Sequence, residues 1–237
     1  MHTILITGAS GGLGNQLVKR YLKLGYRVFG TDLKQTDTIT ELLKAHPEQF
    51  SFFAADVTRD EAVGALAQWI RESAASLDII LNAVGILFPG SVNKLENFDV
   101  GASLKTFDIN TLGPLRVIKA CLGLVRAGGE KMIVNISSEA GSLATQNNYT
   151  DRYDYCMSKA ALNMESVILQ RYIRPEGIRV LLVHPGWMKT DMGGARAPLP
   201  PETAAESISR LIQAKEQEKE IDLQAMFFDY DGTPRAW

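Results

Sequence analysis

Short runs of β-branched and aliphatic residues alternate with longer amphipathic stretches along the whole chain. The alternation points to successive strand–helix–strand units, which pack as a parallel sheet with helices on both faces. Apolar runs predict strands over residues 3–7, 26–31, 50–54, 78–82, 131–137, 178–184 and 225–228. Helical periodicity lies between them over 13–24, 61–73, 104–126, 153–173 and 201–218. Gly25 stands where the first helix needs a left-handed C-cap, and Pro175-Glu176-Gly177 closes the fourth. The expected fold class is α/β, a doubly wound parallel sheet of about seven strands whose ligand crevice lies beyond the carboxyl ends of the strands.

A chain of 237 residues, 46% of them hydrophobic and 22% charged, fits one α/β domain around a single core. No repeat, low-complexity tract or Pro/Gly/Ser-rich linker divides it. A single domain over 1–237 is expected, with a dinucleotide-binding half over about 1–100 and a catalytic and substrate half over about 101–237. A net charge of -2 without a run of lysines and arginines leaves no footprint for nucleic acid. No apolar run approaches the roughly 18 residues of a membrane span, and the first residues enter a strand without a targeting pattern. No membrane partner and a cytoplasmic location are therefore expected. Cys121 and Cys156 are too few for a disulfide framework and wrongly spaced for zinc, so they read as free thiols and no metal is expected.

The first strand runs directly into Thr7-Gly8-Ala9-Ser10-Gly11-Gly12-Leu13-Gly14 and then a helix. A pyrophosphate needs bare backbone N–H groups at a helix N-terminus, and glycine lets that backbone come close. A glycine-rich turn without a ligand is the simpler alternative for a lone motif, but the strand before, the helix after and an acid at the end of the second strand all agree with a dinucleotide. That acid is Asp32, followed by Leu33; its carboxylate is suited to accept hydrogen bonds from the adenosine ribose and to repel a 2'-phosphate, which favours NAD(H) over NADP(H). Lys34 partly offsets the repulsion, and a solvent-facing turn residue is the competing reading of Asp32. Asp56-Val57 follows the third strand, where the carboxylate either meets the adenine amino group or caps a helix. Asn82-Ala83-Val84-Gly85 ends the fourth strand, with Asn82 placed to pin the sheet and Gly85 to pass close to the cofactor.

Tyr155 and Lys159 stand four residues apart in a helical pattern and share one face. A phenol with pKa near 10 is a poor base at neutral pH, and a fixed cation beside it favours the phenolate. An ordinary surface pair is the commoner meaning of such spacing; the pair gains weight from Ser138 and Asn110 upstream. Ser138 closes the fifth strand, where its hydroxyl is placed to hold a substrate oxygen as charge develops, and Ser137 is the alternative. Asn110 lies inside the long 104–126 pattern, where asparagine is a mediocre helix former. A kink there, with a water between Asn110 and Lys159, completes a proton path; a polar residue satisfied by a neighbouring carbonyl is the alternative.

Taken together, Thr7-Gly8-xxx-Gly12-x-Gly14, Asn82-Ala-x-Gly85, Asn110, Ser138, Tyr155-xxx-Lys159 and Pro185-Gly186 resemble the short-chain dehydrogenase/reductase family, a Rossmann-type fold, over nearly the whole chain and in order. The segments His184-Pro-Gly-Trp-Met-Lys-Thr-Asp-Met-Gly-Gly194 and 197–202 look closer to its C-factor and sniffer-like branch, which includes carbonyl reductases and a bacterial developmental protein. The resemblance implies Tyr155 as general acid/base, Lys159 on the nicotinamide ribose, Ser138 orienting substrate and Asn110 supporting a water relay. It also places Pro185, Gly186, the Met188 backbone and Thr190 at the nicotinamide. Two departures stand out. Asn82-Ala83-Val84-Gly85 replaces the usual Asn-Asn-Ala-Gly, and the loop over 143–154 is longer than in the shorter members.

That loop, with Asn148, Tyr149 and Tyr153, and the segment around Trp187, Met188 and Met192 are expected to wall the substrate pocket. Gly193-Gly194 reads either as a hinge or as an ordinary loop. Aromatics and methionines suit a largely apolar carbonyl or secondary alcohol. The aromatic-rich tail over 227–237 is expected to pack on its own domain or a neighbour, and the family's long helices commonly pair between subunits, which implies a homodimer or homotetramer. The leading expectation is an oxidoreductase moving a hydride between NAD(H) and a carbonyl or secondary alcohol. The alternative is an NAD-binding signalling or regulatory protein with vestigial turnover.

Overall fold

The computed structural model describes residues 1–144, 149–218 and 221–237. Strands β1 (Thr3–Thr7), β2 (Arg27–Asp32), β3 (Phe50–Ala54), β4 (Ile79–Asn82), β5 (Met132–Ile136), β6 (Arg179–His184) and β7 (Phe227–Asp229) form one sheet in the order β3-β2-β1-β4-β5-β6-β7. Every adjacent pair is parallel. The order reverses between β1 and β4, so the crevice of a doubly wound sheet opens there. Every predicted strand is present, with ends shifted by no more than two residues.

The helices are α1 (Gly12–Lys23), α2 (Asp37–Ala45), α3 (Asp60–Ser73), α4 (Ser103–Phe107), α5 (Gly113–Arg126), α6 (Tyr153–Ile173) and α7 (Pro201–Glu216). The inner strands run almost wholly buried, as continuous apolar runs must when helices cover both faces, while only Phe50 of the edge strand β3 is buried. Gly25 and Gly177 adopt φ of +81° and +72°, as their C-cap positions require.

Two features depart from the sequence expectation. Helix α2 replaces a loop: Thr36 caps it by accepting from the Ile39 N–H, and Ile39 and Leu42 bury one face. Only two buried positions define it, too few for periodicity to register. Strand β7 starts two residues later than expected, after a 3-10 turn over Leu223–Ala225, and the tail follows from it. It packs on its own domain, with the Trp237 ring 5.8 Å from Phe227 and the Ser142 hydroxyl donating to Ala236 O.

The long 104–126 pattern breaks at Asn110, the position of the expected kink. It is interrupted by a π-helical turn over Asp108–Leu112, centred on Asn110. Pro114 has no N–H to give the Asn110 carbonyl, so the regular bond is lost there and the turn widens. Gly113 lets this turn press on Val57, whose Cγ2 would lie 2.9 Å from a Cβ at that position. Among the described residues no helix is long and apolar enough to cross a membrane.

Candidate active site

The end of β1 and the start of α1 form the floor of the crevice. Gly8 turns the chain with φ +71°, and a Cβ on Gly14 would lie 2.0 Å from Gly8 O, so the backbone of the loop folds onto itself where no side chain fits. A Cβ on Gly12 would meet the Thr190 methyl at 2.5 Å, which brings the segment after β6 over the glycine loop. Gly8, Gly11, Asp32, Leu33, Asp56, Val57, Ala83, Gly85 and the unpredicted Ile86 and Ile109 line a cleft of about 180 Å³. Ser10 and Leu13 belong to the same loop; Leu13 is buried beneath it.

Asp32 is fixed by the backbone: its Oδ2 accepts from Ser10 N at 3.0 Å and its Oδ1 from Leu33 N at 2.8 Å. The Ser10 hydroxyl donates to Lys34 O, which joins the glycine loop to the β2–α2 connection. Asp56 accepts from both the N–H and the hydroxyl of Thr58, and these bonds hold its carboxyl below the ordinary range. It ties its own turn rather than capping α3, which begins at Asp60. Asn82 donates to Asn135 Oδ1, whose amide donates to Ser166, so a buried polar ladder joins β4, β5 and α6.

Asn110 uses its whole side chain. Its Oδ1 accepts from Ile86 N at 2.8 Å, and its Nδ2 donates to Ile86 O at 2.9 Å and to Ser158 Oγ at 3.1 Å. The widened turn thus grips the strand-end loop that begins at Gly85, and a Cβ on Gly85 would come within 3.4 Å of Lys159 Nζ. Ser158, unremarked in the sequence, links Asn110 to α6 and donates to Tyr155 O.

The two candidate serines separate by strand alternation. The Ser137 hydroxyl points into the protein and donates to Asn163 Oδ1 at 2.6 Å. Ser138 accepts from Ala140 N and lies close enough to the Tyr155 phenol to lower its pKa. The turn after it lies directly on α6, where a Cβ on Gly141 would be 2.6 Å from the Lys159 carbonyl carbon.

Burial pushes the Tyr155 phenol up, Ser138 and Arg152 pull it down, and Cys156 and Glu139 push it up; the net direction is upward. This differs from the downward shift that a neighbouring cation alone predicts. Lys159 is buried, donates to Ile136 O at 2.8 Å and lies 5.9 Å from the Tyr155 ring centroid, and burial lowers its ammonium to about 8. A cation that itself titrates near neutrality, aimed at a carbonyl, is a weak electrostatic partner for the phenol. Cys156 is half-buried and Cys121 buried, both are free thiols, and burial moves both upward, Cys121 to about 12.

The candidate substrate residues are brought together in part. Tyr149 donates to Glu139 Oε1 at 3.1 Å beside Ser138, while Tyr153 stacks near Phe98 with centroids 5.4 Å apart. Trp187 donates to Gly193 O, so it is tied to its own loop, where Met192 is half-exposed. Met188 pairs with Leu199, and a Cβ on Gly193 would lie 2.0 Å from Met188 O, so packing rather than hinging accounts for that glycine. Pro185 and Gly186 turn the chain out of β6; Gly186 adopts φ +81°. Asn148 lies outside the described residues.

Residues 2–198 match the family model described as short chain dehydrogenase. The chain belongs to the short-chain dehydrogenase family. It is similar to the C-signal of Myxococcus xanthus, 39% identical over 161 residues that cover 68% of this chain and 93% of that protein. The solved structure of carbonyl reductase Sniffer of D. melanogaster superposes with a TM-score of 0.90 at 31% identity, covering 100% of both chains. The NADPH-bound carbonyl reductase from chicken fatty liver superposes with a TM-score of 0.87 at 27% identity, over 100% of this chain and 99% of that one. As a short-chain dehydrogenase the chain is an oxidoreductase of small molecules that takes a nicotinamide cofactor. The bare-backbone cradle at Gly8, Gly12 and Gly14 and the cleft beside it fit that group.

Proposed function

We propose that the chain is an NAD(H)-dependent carbonyl reductase or secondary-alcohol dehydrogenase in which Tyr155 is the general acid/base. The observation that carries the reading is the gathering of Ser138, Tyr155 and the buried Lys159, whose Nζ lies 5.9 Å from the Tyr155 ring, where the glycine cleft meets α6. When bound, a nicotinamide would supply or take up the hydride at the substrate carbon. Gly8, Ser10, Gly12, Leu13 and Gly14 would hold the pyrophosphate; Asp32, Leu33, Asp56 and Val57 would hold the adenosine. Asn82, Ala83, Gly85, Lys159, Pro185, Gly186, Met188 and Thr190 would hold the nicotinamide end.

In reduction, Ser138 donates a hydrogen bond to the substrate oxygen and Tyr155 gives its phenolic proton to the same oxygen as charge develops there. In oxidation Tyr155 takes that proton back. The upward shift of the phenol keeps it protonated at neutral pH, which suits the reductive direction. Asn110, anchored on Ile86 and Ser158, holds the loop at Gly85 against Lys159. Tyr149, Tyr153, Trp187 and Met192 contribute apolar surface at the mouth, which favours an uncharged carbonyl compound.

Asp32 supports NAD(H), since a carboxylate held by two backbone N–H groups cannot swing away from a 2'-phosphate. The NADPH bound by the chicken enzyme makes the opposite preference the outcome to exclude. Titration with NADH and NADPH, followed by a carbonyl panel with the tighter one, tests the reading. Tighter NADH binding with turnover supports it, tighter NADPH binding overturns the cofactor assignment, and binding without turnover favours a signalling protein, a second reading suggested by the likeness to C-signal.

A homodimer or homotetramer is part of the proposal. Met157, Met164, Ile168 and Tyr172 leave an exposed apolar stripe on α6, and Leu112 and Leu115 expose more beside α5. A single monomer peak by size exclusion with light scattering removes it.

A further inference from the structure

His184 ends β6 and begins the His-Pro-Gly segment, yet nothing in the reaction above uses it. Ser137 N donates to Val183 O at 2.8 Å, the last main-chain rung between β5 and β6. A regular parallel ladder would continue from Glu139 N to the carbonyl of Pro185. Instead the chain turns away at Pro185-Gly186, and Glu139 N donates at 3.2 Å to Nδ1 of the His184 ring. The imidazole therefore stands in for a missing rung, at the amide that immediately follows Ser138.

The consequence for Ser138 is direct. Its hydroxyl accepts from Ala140 N, the next amide of the same short turn, and lies beside the Tyr155 phenol. Fixing the Glu139 amide fixes the turn whose neighbouring amide orients the serine. An Nδ1 that accepts must be unprotonated, so the neutral ring carries its proton on Nε2. Around the ring lie Glu139 on the turn after β5, Asp229 on β7 and Arg235 in the tail, with Arg235 paired to Asp229 and 4.0 Å from Glu139. Burial, the largest influence, lowers the imidazole below its ordinary value, which keeps the accepting form at neutral pH.

We propose that His184 is a positioning residue for the reaction: its unprotonated Nδ1 holds the Glu139 amide, and through it the Ser138 hydroxyl, in place against Tyr155. The proposal rests on the reading of Ser138 as the group that holds the substrate oxygen.

The test compares two substitutions in the full chain. The Asn oxygen of His184→Asn occupies the place of Nδ1, whereas the Gln oxygen of His184→Gln occupies that of Nε2. His184→Gln is expected to lose about tenfold or more in kcat/KM, because it leaves the partly buried Glu139 N–H without its partner, while His184→Asn stays within about threefold of the wild type. In parallel, an NMR titration of the wild-type protein follows the His184 ring and the Glu139 amide. The two are expected to move with one midpoint as pH falls, and kcat/KM to fall with them. Equal losses in both variants, or a Glu139 amide that stays still while the ring titrates, overturns the proposal. The NMR arm needs no turnover, so it decides the matter even if the carbonyl reading fails.

Discussion

The cofactor cleft and the Ser138–Tyr155–Lys159 cluster meet at Gly85, yet they are built from opposite materials. The cleft is made of backbone: the turn at Gly8, the self-contact of Gly14 and the two N–H groups that hold Asp32. The cluster is made of buried side chains reaching across elements to anchor one another and the main chain: Asn110 on Ile86 N and O and on Ser158 Oγ, Lys159 on Ile136 O, Ser138 on Ala140 N. A cleft of the first kind tolerates change wherever a side chain points away and fails wherever a Cβ intrudes. A cluster of the second kind keeps its shape under conservative change but loses its chemistry.

The largest expected effect separates the two. Tyr155→Phe should lower kcat by about 10³-fold, within the range of general acid/base contributions, while the cofactor Kd moves less than about twofold. Steady-state rates and fluorescence titration check this; a parallel loss of binding would merge the two regions. Gly14→Ala is the converse. Its Cβ would sit 2.0 Å from Gly8 O, so the loop must shift, and the cofactor Kd should weaken by about 100-fold with a stability loss of about 2–4 kcal/mol.

Lys159→Met sharpens the comparison through stability. Burial lowers the Lys159 ammonium from 10.5 to about 8. Below about 8 folded and unfolded chains both hold the proton and the full burial cost is present; between there and about 10.5 the folded chain gives it up first and the cost shrinks; above that it is gone. Lys159→Met should therefore raise stability by about 1–3 kcal/mol at pH 7 and by almost nothing near pH 10.5, while abolishing turnover. Denaturant unfolding across that pH range gives the answer, and a constant difference contradicts it. The smallest effect belongs to Asp32→Ser, which should shift the NADPH-to-NADH ratio of Kd values by about tenfold through loss of one repulsive charge.

What the sequence made legible follows the same division. Buried parallel strands are continuous apolar runs, and the whole sheet was readable from them. The glycine spacing is a direct imprint of backbone geometry, so Gly8, Gly12, Gly14 and Asp32 fall where expected. Helix α2 was not readable, because Ile39 and Leu42 alone do not make a period. Ser158, Asn163 and His184 were not either: their roles depend on which neighbour each side chain meets across elements far apart in the chain. The Ser137/Ser138 ambiguity shows the limit most clearly, since adjacent hydroxyls are chemically identical until the pleat sends one to Asn163 and the other to Tyr155.

The widened turn at Asp108–Leu112 carries one more consequence. It is a phase shift: α4 and α5 run end to end, but the faces they present are out of step by the residue that the turn absorbs. Removing one residue from the turn would let the two helices fuse into an unbroken rod, gaining backbone hydrogen bonds, and would rotate Asn110 about a quarter-turn away from Ile86. The most regular version of this segment is thus one that lets go of the crevice, and selection for stability alone would be expected to erase it.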